Sequence, residues 1–170
     1  INSIPGYKSV NLIGTSDDHE NYNLAIFSSV IHLGSNPPLL GMISRPTTVE
    51  RHTLENIFST GLYTINHVNQ DILSHAHQTS AKYARGTSEF EATGLTPQKI
   101  KGFRAPFVKE SSVKIAMALK EHIEIRSNGT HLVIGEVQFI CAPQEAIRDD
   151  GSIDLSLAGT VAMGGVDTYY

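Results

Sequence analysis

The chain has 170 residues, 40% of them hydrophobic, and a formal net charge of −4 at pH 7, which suits one domain spanning residues 1–170 with a single core. The mild negative charge and the absence of Lys/Arg runs argue against a nucleic-acid surface, because such surfaces carry concentrated basic patches. No apolar run approaches the roughly 20 residues that a membrane-spanning helix needs, so we expect a soluble, cytoplasmic protein without nucleic-acid or membrane partners.

The first part of the chain predicts three strands. Residues 8–15 alternate apolar and polar side chains, and the turn-forming run SDDHEN separates them from an apolar, β-branched stretch at 23–32. These two segments therefore predict a hairpin. The run GSNPP ends the second strand, and residues 39–44 predict a third strand of the same kind.

A helix is predicted directly after the third strand. Thr47 stands three residues ahead of Glu50, which is the spacing of a capping box, and the apolar residues that follow fall on one helical face. Gly61 offers a left-handed C-terminal cap. We therefore expect a helix from about Thr48 to Thr60.

The second part of the chain predicts a strand at 62–68, a short helix that begins near Asn69, and a polar stretch from 78 to 109. A loop of that length in a compact domain is usually functional or covers a site. Two long strands, at 113–125 and 131–140, are joined by the turn-forming run SNG.

About six strands with two inserted helices, mostly joined by short turns, favour a closed or partly open antiparallel barrel over a doubly wound α/β sheet. The sequence contains no internal repeat, no low-complexity segment and no nucleotide-binding glycine motif. The fold class predicted from the pattern alone is therefore mainly β with inserted helices.

Hydroxyl and arginine side chains gather around the predicted junction between strand and helix: Ser28, Ser29, Ser44, Arg45, Arg51 and Thr53. A cation at a helix start is unfavourable by about 0.3–1 kcal/mol unless a negative group is nearby. Glu50 or Glu55 meets that need, and so does a bound phosphate held by helix N–H groups, hydroxyls and an arginine fork. Alternatively, the arginines are ordinary solvated side chains and the serines fill an edge strand.

The ordered segments NLAIFSSV, GSNPPLLGMISRP, HTLENI, TGLYTINHV, SEFEATGLTP, LVIGEV and GGVDTYY resemble the flavin reductase-like family of FMN-binding split barrels, which includes flavoredoxin-type proteins. The resemblance covers residues 10–169. It implies a six-stranded antiparallel split β-barrel of Greek-key type, a homodimer, and FMN in a groove beside the dimer interface.

The resemblance also implies a cofactor site. Residues 23–30 would follow the flavin ring and ribityl chain, and hydroxyls and arginines near the helix start would hold the phosphate. Family members often carry Lys-Asp-Thr where this chain has Arg-His-Thr, and both replacements keep or add positive charge. The FMN-binding residues implied by position are Asn23, Ala25, Ile26, Phe27, Ser28, Ser29, Val30, Ser44, Arg45, Arg51, Thr53 and Asn56.

The implied function is that of an FMN-dependent oxidoreductase, which moves hydride or electrons between a reductant and flavin or a small acceptor. NAD(P)H or a redox partner protein would be the other reactant. Related NADH-dependent reductases carry GDH before the last strand, where this chain has NGT with His131 displaced by one residue, onto the other face of a strand. This departure argues against direct NAD(P)H oxidation and keeps a non-catalytic FMN-binding electron carrier as the alternative.

Three further features carry less specific interpretations. Tyr83, Arg85, Glu89 and Phe90 in the long polar stretch either cover the exposed ring face or form an ordinary surface excursion. His75 and His77 would share a face on a strand, as a metal-binding barrel requires, but diverge on the predicted helix. The only cysteine is Cys141; it excludes an internal disulfide, favours a reducing compartment and is expected to pack as a small hydrophobic group.

Overall fold

A computed structural model of the chain describes residues 1–84 and 86–170. Its α-helices are α1 (His52–Thr60), α2 (Leu73–Gln78) and α3 (Glu89–Thr93), with short 3₁₀ turns at Gln70–Ile72 and Gln144–Ala146. Its strands are β1 (Lys8–Ser9), β2 (Asn11–Ser16), β3 (Tyr22–Phe27), β4 (Val30–Ser35), β5 (Pro38–Ser44), β6 (Leu62–His67), β7 (Pro97–Ile100), β8 (Phe103–Val108), β9 (Lys114–Ile125), β10 (Thr130–Cys141), β11 (Ala162–Gly164) and β12 (Thr168–Tyr169).

The main sheet is antiparallel and has the strand order β3-β2-β6-β9-β10-β5-β4. Its two edge strands, β3 and β4, are consecutive in sequence and separated only by Ser28 and Ser29. The sheet must therefore curl until its two edges lie a few residues apart. The mainly-β class is confirmed. The predicted single strand at 23–32 is wrong, because Ser28 and Ser29 interrupt it; the sheet has seven strands, and the six-stranded barrel is not confirmed.

The predicted long hairpin is confirmed as β9 and β10, which pair along most of their length with two register shifts. One shift lies at Ile134 and Gly135, where β10 passes over the ring of Tyr63. A Cβ built on Gly135 would meet Tyr63 Oη and Cζ, so a glycine is required for this close approach.

Two groups of buried side chains form the core. The interior cluster lies between the curled sheet and α1, and it includes Ile13, Met42, Leu54, Ile57, Tyr63, Ile65, Met117 and Val133. A second cluster lies between the β2–β3 hairpin, the short helices α2 and α3 and the C-terminal strands, and it includes Leu12, Leu24, Ile72, Phe90, Val108 and Met163. The interior cluster fixes α1 against the sheet.

Helix α1 begins four residues later than predicted. Arg51 is its N-cap residue; the Arg51 side chain makes no capping hydrogen bond, and the Arg51 N–H is accepted by Glu55 Oε1 at 3.3 Å. The predicted capping box is wrong because Glu50 Oε2 lies 3.4 Å from His52 Nε2 instead of reaching back toward Thr47. The predicted end is confirmed, since Gly61 adopts φ 71° and donates its N–H to Ile57 O.

The sequence predicted a single long loop at 78–109, and this prediction is wrong. The stretch contains α3 and the hairpin formed by β7 and β8, whose Phe103 and Phe107 pack against Phe139. Near the C-terminus, β11 and β12 form a three-stranded sheet with β1, which the sequence did not predict. None of the helices in the described ranges is long and apolar enough to cross a membrane.

Candidate functional site

The junction between β3 and β4 brings three of the predicted site serines together. Ile43 donates its main-chain N–H to Ser29 O at 3.0 Å, which places the end of β5 beside Ser28 and Ser29. Ser44, the last residue of β5, is buried, and within the described ranges its hydroxyl makes one long hydrogen bond, to Arg45 O at 3.5 Å. Arg45 is exposed at the start of the following loop.

The first turn of α1 lies next to this junction. Arg51 donates from Nε to Pro46 O at 3.1 Å, so its side chain folds back toward the end of β5. Pro46 also borders the turn between β9 and β10, because a Cβ built on Gly129 would lie 3.6 Å from Pro46 Cβ. The helix start, the end of β5 and the β9–β10 turn therefore meet around Pro46.

A buried amide and hydroxyl network ties α1 to the β2–β3 hairpin. Asn23 Nδ2 donates to Thr53 Oγ1 at 3.0 Å and to Thr15 Oγ1 at 3.3 Å, and Asn56 Nδ2 donates to Thr15 Oγ1 at 3.1 Å. The structure thus brings together three predicted site residues and adds Thr15, which the sequence did not single out. The feature that could have identified Thr15 is strand register, because Thr15 stands directly opposite Asn23 in the hairpin.

The remaining predicted residues lie along the strands between the β3–β4 junction and the hydrogen-bond network around Asn23. Ala25, Ile26, Phe27 and Val30 are half-buried. Ile26 packs against the second cluster, whereas Phe27 and Val30 pack against the interior cluster. Asn23 and Ser28 are five residues apart, a span of about 16 Å along a strand. The predicted set therefore follows one sheet edge from Asn23 to Ser28 instead of forming a compact pocket.

A cleft of about 460 Å³ opens beside α1. Asn23 and Asn56 of the predicted set contribute to it, together with His52, Tyr22, Phe90 and the carboxylates of Asp17, Glu20, Glu89 and Glu91. Most of these acids also hold the protein together. Glu89 accepts the Leu24 N–H at 2.9 Å, and hydrogen bonds from Asn21 lower the pKa of Asp17.

Only part of the long polar stretch reaches the cleft. Glu89 and Phe90 line it, whereas Tyr83 Oη bonds to Gln78 O instead. Arg85, also named from the sequence, lies outside the described residues. Within the described part of the stretch, Gly86, Thr87, Ser88, Leu95 and Pro97 also line the cleft, so α3 and the residues on either side of it border the cleft.

His131 is a buried polar group that the site assignment from the sequence left out. It pairs with Ser44 across the β5–β10 ladder and is 7% exposed. Its Nδ1 lies 2.8 Å from His122 Nε2, and none of the described residues is a hydrogen-bond partner of its Nε2. Spacing alone could not reveal this nitrogen, because its burial depends on tertiary packing.

The histidines considered for a metal serve other contacts. His75 and His77 both lie on α2, as predicted, and their Nδ1 atoms lie 2.6 Å from Thr93 O and from Tyr169 Oη. Residues 1–84 and 86–170 contain no group of three or more His, Cys, Asp or Glu side chains that could hold a metal ion. Cys141 is half-buried at the end of β10.

The donor set near Pro46 fits the phosphate end of FMN. The main-chain N–H groups at the helix start, the Arg51 guanidinium and the serine hydroxyls can all donate hydrogen bonds to an anion. The edge strand from Asn23 to Ser28 extends from this anion site and can follow a long, flat ligand. The residues present therefore fit this cofactor.

Comparisons with known proteins identify the family of this chain. Residues 6–150 match the family described as Flavin reductase like domain. The crystal structure of a candidate flavin reductase with split barrel domain from Shewanella frigidimarina NCIMB 400 is similar with a TM-score of 0.96 and 58% sequence identity, over 99% of this chain and 84% of that chain. Flavoredoxin of Desulfovibrio vulgaris (Miyazaki F) is similar with a TM-score of 0.84 and 25% identity, over 97% of this chain and 86% of that chain.

Two curated relatives extend the likeness to sequence. An uncharacterized protein of Aquifex aeolicus is 29% identical over 121 residues, which is 69% of this chain. The chain spans 60% of the length of that relative and 66% of the length of a second one, from Deinococcus radiodurans. The resemblance predicted from the sequence is confirmed by the family match over most of the chain, and the protein belongs to the flavin reductase-like domain family.

Proposed function

We propose that the protein binds FMN and acts as an oxidoreductase that moves hydride or electrons between a reductant and flavin or a small acceptor. The observation that carries this proposal is the start of α1, where the Arg51 side chain reaches Pro46 O, two residues beyond the buried Ser44. Bound FMN supplies the hydride and electron chemistry, and the protein supplies binding, orientation and control of access.

The phosphate end of FMN is assigned to Ser44, Arg45, Arg51 and Thr53. Thr53 Oγ1 already accepts a hydrogen bond from Asn23 Nδ2, so its own hydroxyl proton is left to donate to an anion. The arginines add charge-assisted hydrogen bonds. In this arrangement Asn23 orients Thr53, while Asn56 acts through Thr15 and fixes α1 against the hairpin.

The ring and ribityl chain are assigned to the segment from Ala25 to Val30. β3 and β4 are the edge strands of the main sheet, and an edge strand presents main-chain N–H and C=O groups that no neighbouring strand pairs. Such groups can read the polar edge of the flavin ring, and Ser28 and Ser29 suit the ribityl oxygens.

An electron carrier is the second candidate function, and two observations favour it. His131 is buried against the sheet interior, and four carboxylates line the cleft next to the site, where they would repel the pyrophosphate of NAD(P)H. A carrier would hold FMN firmly and take electrons from a redox partner protein. An absorbance spectrum of FMN-loaded, desalted protein before and after anaerobic NADH or NADPH separates the two, because only the reductase bleaches.

We also propose that the protein is a homodimer and works in the reducing cytoplasm, the latter because it has a single cysteine. Ile31 and Leu33 on β4 and Leu132 on β10 converge over Gly41, and the exposed Ile123 pairs with Leu132 across the next ladder. This apolar patch on the outer face of the sheet suits contact with a second copy. Light scattering tests the dimer, and an Ile31→Glu variant should produce monomers.

The cofactor site is tested by replacing Arg51 with Glu. We expect this variant to lose FMN on desalting, because the new carboxylate repels the phosphate, whereas Lys101→Glu, an equal charge change in an exposed turn, should retain it. FMN retained equally by both variants would overturn the phosphate assignment. Failure of the unmodified protein to retain or titrate FMN would overturn the proposed function itself.

A further inference from the structure

The cleft beside α1 presents an excess of hydrogen-bond acceptors. Its volume of about 460 Å³ lies within the range of small-molecule binding sites. Its described lining contains no lysine or arginine, and it contains the carboxylates of Asp17, Glu20, Glu89 and Glu91. A ligand that fills this cleft must therefore bring hydrogen-bond donors or positive charge.

The amide of Asn23 adds a buried acceptor to this cleft. Asn23 is 9% exposed, and its Nδ2 donates to Thr15 Oγ1 and to Thr53 Oγ1. Because the oxygen of an amide diverges from its nitrogen, Oδ1 is turned away from these hydroxyls, and no described residue donates a hydrogen bond to it. Buried polar atoms normally have a partner, and Asn23 lines the cleft, so a ligand there can supply the missing donor.

The two carboxylates of α3 keep acceptor capacity that the fold does not use. Glu89 Oε2 accepts the Leu24 N–H at 2.9 Å, but no described residue donates a hydrogen bond to its Oε1. The carboxylate of Glu91 is exposed and forms neither a hydrogen bond nor an ion pair with any described residue. Both side chains line the cleft, so α3 offers it two incompletely satisfied carboxylates.

Aromatic side chains line another part of the cleft. The rings of Tyr22 and Phe90 meet edge to face with centroids 6.3 Å apart. The Lys99 ammonium lies 5.7 Å from the centroid of the Tyr22 ring and 3.2 Å from Glu20 Oε2. The chain thus places one of its own cations against an aromatic face and a carboxylate, which is the combination that binds organic ammonium groups.

The nearby cations compensate only part of the negative charge. Lys99 pairs with Glu20, and Arg104 Nη2 donates to the main-chain oxygens of Asp17 and Asp18. In the described part of the chain, neither contact involves a carboxylate of α3. The α3 side of the cleft is therefore where an added cation gains most.

We propose that the cleft is a binding site for a small organic cation, an amine with an apolar body. Its ammonium group is held by Glu89, Glu91 and Asn23 Oδ1, and its apolar body packs on Tyr22 and Phe90. The same carboxylates repel an anion of equal size. The inference goes beyond the proposed function, because it uses oxygen atoms that the FMN assignment leaves free and requires no flavin.

Calorimetric titration of FMN-free protein with three phenyl compounds tests the proposal. Phenethylamine is a cation at neutral pH, 2-phenylethanol carries a neutral hydroxyl in place of the ammonium group, and phenylacetate carries a carboxylate. We expect phenethylamine to bind about tenfold more tightly than 2-phenylethanol, because its hydrogen bonds to carboxylates are charge-assisted, and we expect no binding of phenylacetate. Equal affinity for the amine and the alcohol would overturn the inference.

Two charge variants should change the affinity in opposite directions. Glu91→Gln should weaken phenethylamine binding about threefold, because it removes an unpaired carboxylate, and Lys99→Gln should strengthen it about twofold, because it removes a competing cation. Glu145→Gln, an equal charge change in an exposed 3₁₀ turn, should leave the affinity unchanged. Equal losses in Glu91→Gln and Glu145→Gln would overturn the inference, since overall charge and not the cleft would then attract the amine.

FMN titration of the same protein separates this inference from the proposed function. A protein that binds phenethylamine with the expected preference but does not bind FMN would keep the cation site and lose the proposed function. A protein that binds FMN and shows no preference for the amine would keep the proposed function and lose the cation site.

Discussion

The sheet interior and the first turn of α1 differ in how fully their polar groups are hydrogen-bonded. In the interior, Asn66 donates to Leu12 O at 3.0 Å and accepts the Val108 N–H at 3.0 Å, so its amide is fully used by the chain. At the first turn of α1, the N-cap side chain makes no capping hydrogen bond, and the Arg51 N–H is accepted by Glu55 Oε1 at a long 3.3 Å. The comparison teaches that the chain satisfies this interior amide more fully than it satisfies the helix start.

Tyr63 and Ser16 are exceptions on the strands of the sheet, and Tyr63 makes the packing of the interior testable. Its buried hydroxyl has no described partner, burial raises its pKa, and the ring lies against Gly135. Gly135→Ala should lower the free energy of unfolding by about 3 kcal/mol, because the new methyl group overlaps Tyr63. Urea denaturation measures the loss.

Two variants check the cause. Adding Tyr63→Phe to Gly135→Ala should recover part of the lost stability, since it removes the hydroxyl that the methyl group meets first. Gly34→Ala should have little effect, because the atom nearest to its new Cβ is 3.8 Å away. Equal losses at Gly34 and Gly135 would show that overlap with Tyr63 is not the reason.

His67 gives the stability of the interior a pH dependence. Burial lowers the pKa of His67 to about 4, so the folded protein disfavours a proton that the unfolded chain binds near the ordinary value of 6.5. Its stabilisation is complete above about pH 6.5 and is lost as pH falls toward about 4, a change of about 3 kcal/mol.

Urea midpoints measured across this pH range check the effect of His67. His67→Gln should flatten the dependence, and His19→Gln, at an exposed turn residue, should preserve it. An unchanged slope in His67→Gln would assign the acid sensitivity to other groups.

Arg51→Asp sharpens the comparison at the helix start. Aspartate is a strong N-cap residue and suits the positive end of a helix, so this change should raise the free energy of unfolding of the apoprotein by about 1 kcal/mol. The same carboxylate should occupy the donors offered to phosphate and weaken FMN binding. Thermal melting measures the gain in stability, and flavin titration measures the loss of FMN affinity. A variant that gains stability and keeps FMN affinity would contradict our assignment of this helix start.

Local sequence patterns predicted most of the main sheet. Alternating side chains and the SNG turn predicted the β9–β10 hairpin, and Gly61 predicted the end of α1 because a left-handed cap favours glycine. The start of α1 was placed too early because Thr47 and Glu50 have capping-box spacing, yet Glu50 interacts with His52. Spacing identifies residues that can cap a helix but not the contacts that compete for them.

The sequence predicted which residues form the candidate site better than it predicted how they are arranged. The resemblance named Ser44, Arg51 and Thr53, and the structure places them around the start of α1. Thr15 and His131 were missed, because their importance depends on register across two ladders and on burial. Such information is tertiary and leaves no local pattern.

The order of strands in the main sheet also bears on aggregation. An edge strand normally templates the addition of another chain, and proteins often prevent this with charged side chains. Neither β3 (Tyr22–Phe27) nor β4 (Val30–Ser35) contains a charged Lys, Arg, Asp or Glu residue. Because the two edges meet at Ser28 and Ser29, a strand that adds to one edge is obstructed near the junction by the other, so the curl of the sheet itself protects the protein from edge-to-edge polymerisation.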